Sequence, residues 1–225
     1  MTLTYATQAR IAGLSYLVVA LTGAFNLLIV PAEIIGADAA TTLANAQAQT
    51  QLFRLGIAAG IVCQVFFVIT PVLLYALLAP LGRIAALLML GFALVSVPIS
   101  FANIAEHIAI LQLATGEGAS ANAIAAIAQH TDAYNRGAAL VGIFWGLWLA
   151  PLGWLIAKSG TIPRILGIFL ILGCLGYVAH FFLSFFVVGY RETPLAEYIH
   201  TPSAIGELGT CLWLLIMGAK DKRPA

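Results

Sequence analysis

The residues of this chain that could do chemistry are carboxylates, imidazoles and amides inside apolar runs. The stretch SFANIAEHIAILQL carries Asn103, Glu106 and His107, while His180 and Glu207 stand in later apolar segments. An ionisable side chain inside a membrane is unfavourable unless it is paired, and it usually faces other protein groups. Imidazoles and carboxylates together can hold zinc or iron, bind a polar ligand or transfer protons. These residues are therefore the first candidates for a functional site.

The composition indicates which solvent the chain folds in. Of 225 residues, 62% are hydrophobic and only 8% are charged, and the mean hydropathy is +1.01. Because soluble domains carry about a quarter charged residues, the lipid bilayer is the predicted partner of this surface. The formal net charge of +1 argues against nucleic-acid binding, which needs a concentrated basic face.

Six apolar segments predict an all-α polytopic membrane protein, with a single transmembrane domain over 1–225. A helix needs about 20 residues to cross the hydrocarbon core, and five segments meet that length. The sixth is shorter and holds Glu207. The length of the first and its single Arg10 favour a span over a signal peptide. The predicted bundle of six transmembrane helices comprises approximately 11–30, 55–79, 84–113, 137–157, 165–188 and 203–219.

Lysine and arginine residues predict the orientation. With a cytoplasmic N-terminus, seven of them fall on the inner side, namely Arg10, Arg83, Lys158, Arg164, Lys220, Lys222 and Arg223. Three fall outside, namely Arg54, Arg136 and Arg191. This bias predicts a multi-pass protein of the cytoplasmic membrane with both termini in the cytoplasm. An even number of spans is needed to bring the last basic cluster inside.

The connections between spans differ on the two sides. The inner turns APLGR and KSGTIPR are short, whereas the outer loops are longer and are predicted to contain short helices. One would begin at an Asp38 N-cap and another at Ser120. The motifs GIAAG and GIFWG place small residues four apart, which lets helices approach closely and allows a homo-oligomer.

The polar residues share a depth. At about 1.5 Å per residue, they lie roughly 6–14 Å from the outer ends of their spans. If they face one interior, they form a binding site for a small apolar ligand, a lipid or an ion. Adjacent Glu106 and His107 point about 100° apart, so one of them would serve another pair or the outer rim. The predicted ligand-binding residues are Glu207, His180, His107, Glu106, Asn103, Gln64 and Asn26.

Three hypotheses stay open for this cluster. It could bind a small ligand or relay protons. It could instead hold zinc or iron through His107, His180 and Glu207, with Glu106, His130 or His200 assisting, in an intramembrane hydrolase of lipid esters or amides. No HExxH spacing supports that metal site. Third, it could be a structural polar network in a partner-binding protein. His130 and His200 fall in outer loops and are predicted to be solvated.

Several stretches carry a resemblance to a known family. They are RIAGLSYLVVALTGAF, DAATTLANAQAQTQLFRLG, GLWLAPLGWLIAKSGTIPRILGIFLILGCLGY and TPSAIGELGTCLWLLIMG. With its SG-x-x-PRILG pattern followed by IGELG, the chain resembles the bacterial membrane proteins grouped as domain-of-unknown-function family 4386. The resemblance implies a six-span bundle in the cytoplasmic membrane. It singles out Glu207, which stands inside IGELG, and it implies no catalytic residue.

Overall fold

A computed structural model describes residues 4–116 and 120–219, and within them the chain is all-helical, as predicted. A π-helical turn, Phe25–Ile29, joins the first two helices, and 3₁₀ turns occupy Ala79–Leu81 and Tyr190–Glu192. The α-helices are α1 (Tyr5–Ala24), α2 (Val30–Ile34), α3 (Ala39–Ala48), α4 (Thr50–Leu78), α5 (Arg83–Thr115), α6 (Ala121–Leu147), α7 (Leu149–Ser159), α8 (Arg164–Phe186), α9 (Pro194–Tyr198) and α10 (Thr201–Ile216).

Five helical segments of the described chain are long and apolar enough to cross a membrane. They correspond to the first five predicted spans; the first four are longer than predicted at both ends, and the fifth begins one residue and ends two residues earlier than predicted. They are Tyr5–Ile34, Thr50–Leu81, Arg83–Thr115, Ala121–Ser159 and Arg164–Phe186. Many large apolar side chains on these helices are exposed, as is expected of surfaces that face lipid. The described chain therefore has the helices of a membrane protein.

The sixth predicted span, 203–219, corresponds to α10, which has 16 residues. A helix of that length rises about 24 Å, less than the hydrocarbon thickness of about 30 Å. The count of six spans therefore stays a prediction, as does the cytoplasmic side of both termini. The basic cluster Lys220, Lys222 and Arg223 lies outside the described residues.

The two connections predicted to be outer fold differently. Asp38 forms the predicted N-cap of α3: its carboxylate accepts the backbone N–H of Thr41 at 2.7 Å. This hydrogen bond lowers the pKa of Asp38. The helix predicted to begin at Ser120 does begin there, since the Ser120 hydroxyl accepts the backbone N–H of Ala123 at 3.1 Å. The prediction of a separate short helix is wrong, because α6 runs unbroken from Ala121 to Leu147 into the fourth span. No proline interrupts α6, and its Ile127 is fully buried, so nothing ends the helix before the membrane segment.

The helices contribute to two compact units. The first consists of residues 4–17, 66–96 and 140–219. In it α8 packs against both α7 and α10. Glycines allow this close approach: a Cβ at Gly206 would lie 2.8 Å from the backbone nitrogen of Leu170, and one at Gly173 would lie 2.6 Å from Ser203.

The second unit consists of residues 18–65, 97–116 and 120–139. Its apolar core draws on five elements: α2, α3, the first part of α4, and the facing parts of α5 and α6. Gly56 lies against Val30 there, with space for no Cβ. The core residues are Val30, Ile34, Leu43, Ala46, Phe53, Ile57, Ile104, Ile110, Ala114 and Ile127.

Candidate functional site

Glu207 is positioned by contacts of α10 with two other helices of the first unit. On one side, the Cys211 thiol contacts the Gly13 carbonyl of α1 at 3.5 Å, and a Cβ at Gly13 would lie 2.5 Å from the Leu215 nitrogen. On the other side, Gly206 and Gly209 lie against α8. Small residues on both sides of Glu207 thus fix its helix between α1 and α8.

Within the described part of the chain, the Glu207 carboxylate has one hydrogen-bond donor. The Tyr16 hydroxyl of α1 donates to Glu207 Oε2 at 2.8 Å. Tyr16 is only 2% exposed. Its ring centroid lies 5.7 Å from that of Trp148, and the Trp148 centroid lies 5.3 Å from that of Phe67. An aromatic wall therefore holds the hydroxyl in place, while Glu207 itself remains half-buried.

No positive charge compensates Glu207 within the described residues. The ion pair found there joins Glu106 to His130, and neither lysine nor arginine acts on Glu207. Among the described residues, the titratable groups that interact with Glu207 are the Tyr16 and Tyr177 hydroxyls, which carry no charge near pH 7. A carboxylate removed from water without a partner is unfavourable until a proton or a cation joins it. This arrangement is suited to reversible binding of either.

A cluster of imidazole and phenol rings adjoins the start of α10 in the same unit. His180 Nδ1 and the Tyr190 hydroxyl are hydrogen-bonded at 3.1 Å. The His200 ring lies 4.7 Å from that of His180 and 4.4 Å from that of Tyr177, between centroids. His200 Nδ1 is buried, and no described residue forms a hydrogen bond with it. His200 is therefore packed among rings, which corrects its predicted solvated state.

Acid is expected to destabilise the protein through His200. Burial, with a smaller contribution from neighbouring His180, lowers the pKa of His200 from about 6.5 to about 4. The unfolded chain therefore binds more protons than the folded chain between those values, so the free energy of unfolding falls as pH decreases from about 6.5 to 4. In thermal melts across this range, His200→Gln should show a smaller decrease. An unchanged pH profile would contradict this cause.

In the second unit, Glu106 and His107 have different partners, as their angular separation predicts. Glu106 Oε2 lies 2.7 Å from His130 Nδ1, and both side chains are about one-third exposed at 30% and 36%. His130 is thus paired on α6, which corrects its predicted solvated state in a loop. His107 is 3% exposed, stacks on Tyr134 at 3.9 Å and meets the edge of Phe53 at 5.4 Å. Its Nε2 has no hydrogen-bond partner.

Two of the three candidate site amides in the second unit lie at helix contacts. Asn26, inside the π-helical turn, packs so closely on Gly60 that a Cβ there would lie 2.9 Å from its Oδ1. Asn103 packs on Gly137 with even less space. Gln64 is 5% exposed, and its Oε1 has no partner. The Asn–Gly contacts agree with the hypothesis of a structural polar network, because they fix how closely the helices approach each other.

Gly137→Ala is expected to lower the free energy of unfolding by about 1 kcal/mol, because its methyl group would overlap the Asn103 amide. Combining it with Asn103→Ala should restore part of that loss, which thermal melts of the two single variants and the double variant would measure. A double variant whose loss equals the sum of the single losses would contradict the contact.

The predicted site residues therefore fall into two groups. Glu207 and His180 belong to the first unit, and Glu106, His107, Asn103, Gln64 and Asn26 belong to the second. Within the described residues, no three His, Cys, Asp or Glu side chains are grouped so that they could hold a metal ion. The geometry thus gives no support to His107, His180 and Glu207 as a zinc or iron site.

Comparison with known proteins identifies the family. The profile described as "Domain of unknown function (DUF4386)" matches residues 11–218, nearly the whole chain. The chain belongs to this family. No curated protein and no solved structure matches it.

The DUF4386 match includes both partners of the hydrogen bond at Glu207, since Tyr16 and Glu207 lie within residues 11–218. The sequence singled out Glu207 by its charge but missed Tyr16. A tyrosine in an apolar span is ordinary, and only the contact of α10 with α1 gives it a role. Its signal in the sequence was its place in RIAGLSYLVVALTGAF, one of the stretches that resemble the DUF4386 family.

Proposed function

We propose that this DUF4386 protein is an integral membrane protein that binds a small ligand at Glu207. One observation carries the proposal: a half-buried carboxylate on an apolar helix is held by a buried tyrosine hydroxyl, and no described residue places a cation beside it. An uncompensated carboxylate on an apolar helix lowers the stability of the fold, so its presence there favours a functional role. Tyr16 would orient one carboxylate oxygen and leave the other for the ligand.

The protein around this site would be the six-span form predicted by the sequence. Here α10 serves as the sixth span, shorter than the others and packed on α1 and α8. Both termini would then be cytoplasmic, in agreement with the lysine and arginine bias. The Asn–Gly contacts of the second unit would serve the fold, and the His180–His200 cluster would border the outer end of the ligand site.

Native mass spectrometry tests the proposal. The protein would be extracted with its surrounding lipid in polymer-bounded discs, and ligand adducts would be compared among wild type, Glu207→Gln and Glu106→Gln. Glu106→Gln is a matched control, because it makes the same chemical change at an ion-paired carboxylate of the second unit. We expect an adduct on wild type and on the control that falls at least tenfold in Glu207→Gln.

Folding must be preserved for this comparison, so each variant would also be required to show a single cooperative thermal transition. An adduct pattern that is the same in wild type and Glu207→Gln would contradict Glu207 as the binding site. Tyr16→Phe should weaken the adduct without removing it, because the carboxylate remains while its orienting hydroxyl is lost.

A further inference from the structure

We propose that the ligand of Glu207 is an organic monocation that exchanges with a proton on this carboxyl group. The inference rests on the proposed function and names its ligand class. It starts from the one hydrogen bond of the carboxylate: Tyr16 donates to Oε2, and no other donor reaches Glu207 from the described residues. An anionic ligand would be repelled there, and a neutral ligand would leave the charge uncompensated.

The surroundings favour an organic cation over a metal ion. Hard metal ions need several oxygen ligands, and Glu207 belongs to no group of three metal-binding side chains among the described residues. Phenol rings are present instead: Tyr16 makes the hydrogen bond, and Tyr177 lies within electrostatic range of the carboxylate. Aromatic rings attract large, weakly hydrated cations in addition to the attraction of the carboxylate.

A buried hydroxyl without a partner adds an independent observation. Thr210 is one turn beyond Glu207 on α10 and is 0% exposed, and its Oγ1 has no hydrogen-bond partner among residues 4–116 and 120–219. Residues three apart are neighbours on a helix surface. A buried polar atom without a partner commonly marks the place of a water or a ligand. Thr210 therefore offers an unsatisfied polar group on the turn of α10 that follows Glu207, for a bound molecule or its water.

The exposed surface of α10 around Glu207 is apolar. Ile205, Leu208 and Leu212 flank Glu207 on α10 and are 45%, 49% and 46% exposed. A cation that reaches the carboxylate past these side chains must tolerate lipid, which a cation with aromatic or alkyl groups does and a small hydrated ion does not. The predicted ligand is therefore a lipophilic cation.

The exchange conserves charge at the site. The protonated carboxyl group loses its proton to solvent as the cation arrives, and the carboxylate then pairs with the cation. Among the described residues, the titratable groups that interact with it are Tyr16 on α1 and Tyr177 on α8, and these are neutral near pH 7. Glu207 is thus the group whose ionisation controls cation binding, so protons and cations compete.

Tetraphenylphosphonium and tetraphenylborate test this inference, because they share a shape and carry opposite charges. Isothermal titration of each into the full-length protein at pH 8 and at pH 5.5 would give the affinities. We expect the phosphonium to bind at least tenfold more tightly than the borate, and to bind about tenfold more weakly at pH 5.5. Titration in two buffers of different ionisation enthalpy should show proton release on binding. Glu207→Gln should weaken phosphonium binding at least tenfold, and Glu106→Gln should not.

Equal binding of the two probes, or phosphonium binding unchanged in Glu207→Gln, would overturn the inference. The result can be separated from the proposed function itself. If the phosphonium fails to bind while wild-type protein keeps an adduct that depends on Glu207, the cation inference fails and the Glu207 site stands. If that adduct is also independent of Glu207, both fail.

Discussion

Replacing Gly153 by alanine is expected to lower the free energy of unfolding by about 3 kcal/mol, the largest stability effect we predict for one methyl group. A Cβ at Gly153 would lie 2.5 Å from the Gly167 carbonyl oxygen and 3.0 Å from Ile171. The Gly167 oxygen belongs to the backbone, so rotation of a side chain cannot relieve this overlap. The α7 and α8 helices would have to separate, and α8 carries α10 with Glu207.

Thermal unfolding in detergent, followed by circular dichroism, measures this effect. Three kcal/mol corresponds to a fall in Tm of roughly 6–12 °C for a chain of this size. Gly91→Ala is the matched control, because a Cβ there meets no heavy atom within 4 Å. Replacing a helical glycine in open space should leave Tm unchanged or raise it slightly. Equal losses for the two variants would contradict the close packing of α7 on α8.

Replacing Glu207 by glutamine is expected to preserve the fold and raise the free energy of unfolding by about 2 kcal/mol at pH 8 in ligand-free protein. Glutamine has nearly the same shape and still accepts the hydrogen bond from Tyr16, but it removes the uncompensated charge. A gain in stability with a loss of binding is the expected signature of a functional residue.

The alternative, in which Glu207 is a structural residue, predicts the opposite sign. Melts of wild type and Glu207→Gln at pH 8 and pH 4 would distinguish them. The difference should disappear at pH 4, where a carboxyl group is largely protonated and as neutral as the amide. A loss of cooperative unfolding in Glu207→Gln at pH 8 would identify the residue as structural and contradict its role in binding.

The sequence predicted the helices better than the contacts between them. Hydropathy places a helix wherever about 20 apolar residues run together, so five spans follow from composition and length alone. The Asp38 cap follows from a local hydrogen bond within one turn. The continuity of α6 could not be predicted in the same way. Its first half is amphipathic and its second half is apolar, so the two halves differ in composition although they form one helix.

The candidate site could be predicted only in part, because one sequence does not show which helices are neighbours. Charge singled out Glu207, and the angle between adjacent helical residues separated Glu106 from His107. The partners come from elsewhere in the chain: Tyr16 is 191 residues from Glu207, and His130 is on the following helix from Glu106. The π-helical turn at Asn26 likewise has no composition signal, and its role becomes visible only against Gly60.

The most direct test of the account is labelling of carboxyl groups in intact membranes with dicyclohexylcarbodiimide, followed by peptide mass spectrometry. This apolar reagent enters lipid and adds to protonated carboxyl groups, forming a stable N-acylurea. We predict that Glu207, which lacks a cation partner, is labelled, and that Glu106, paired with His130 at 2.7 Å, is labelled far less. Absence of label on Glu207, or equal label on both residues, would contradict an unpaired, accessible carboxyl group at the centre of the site.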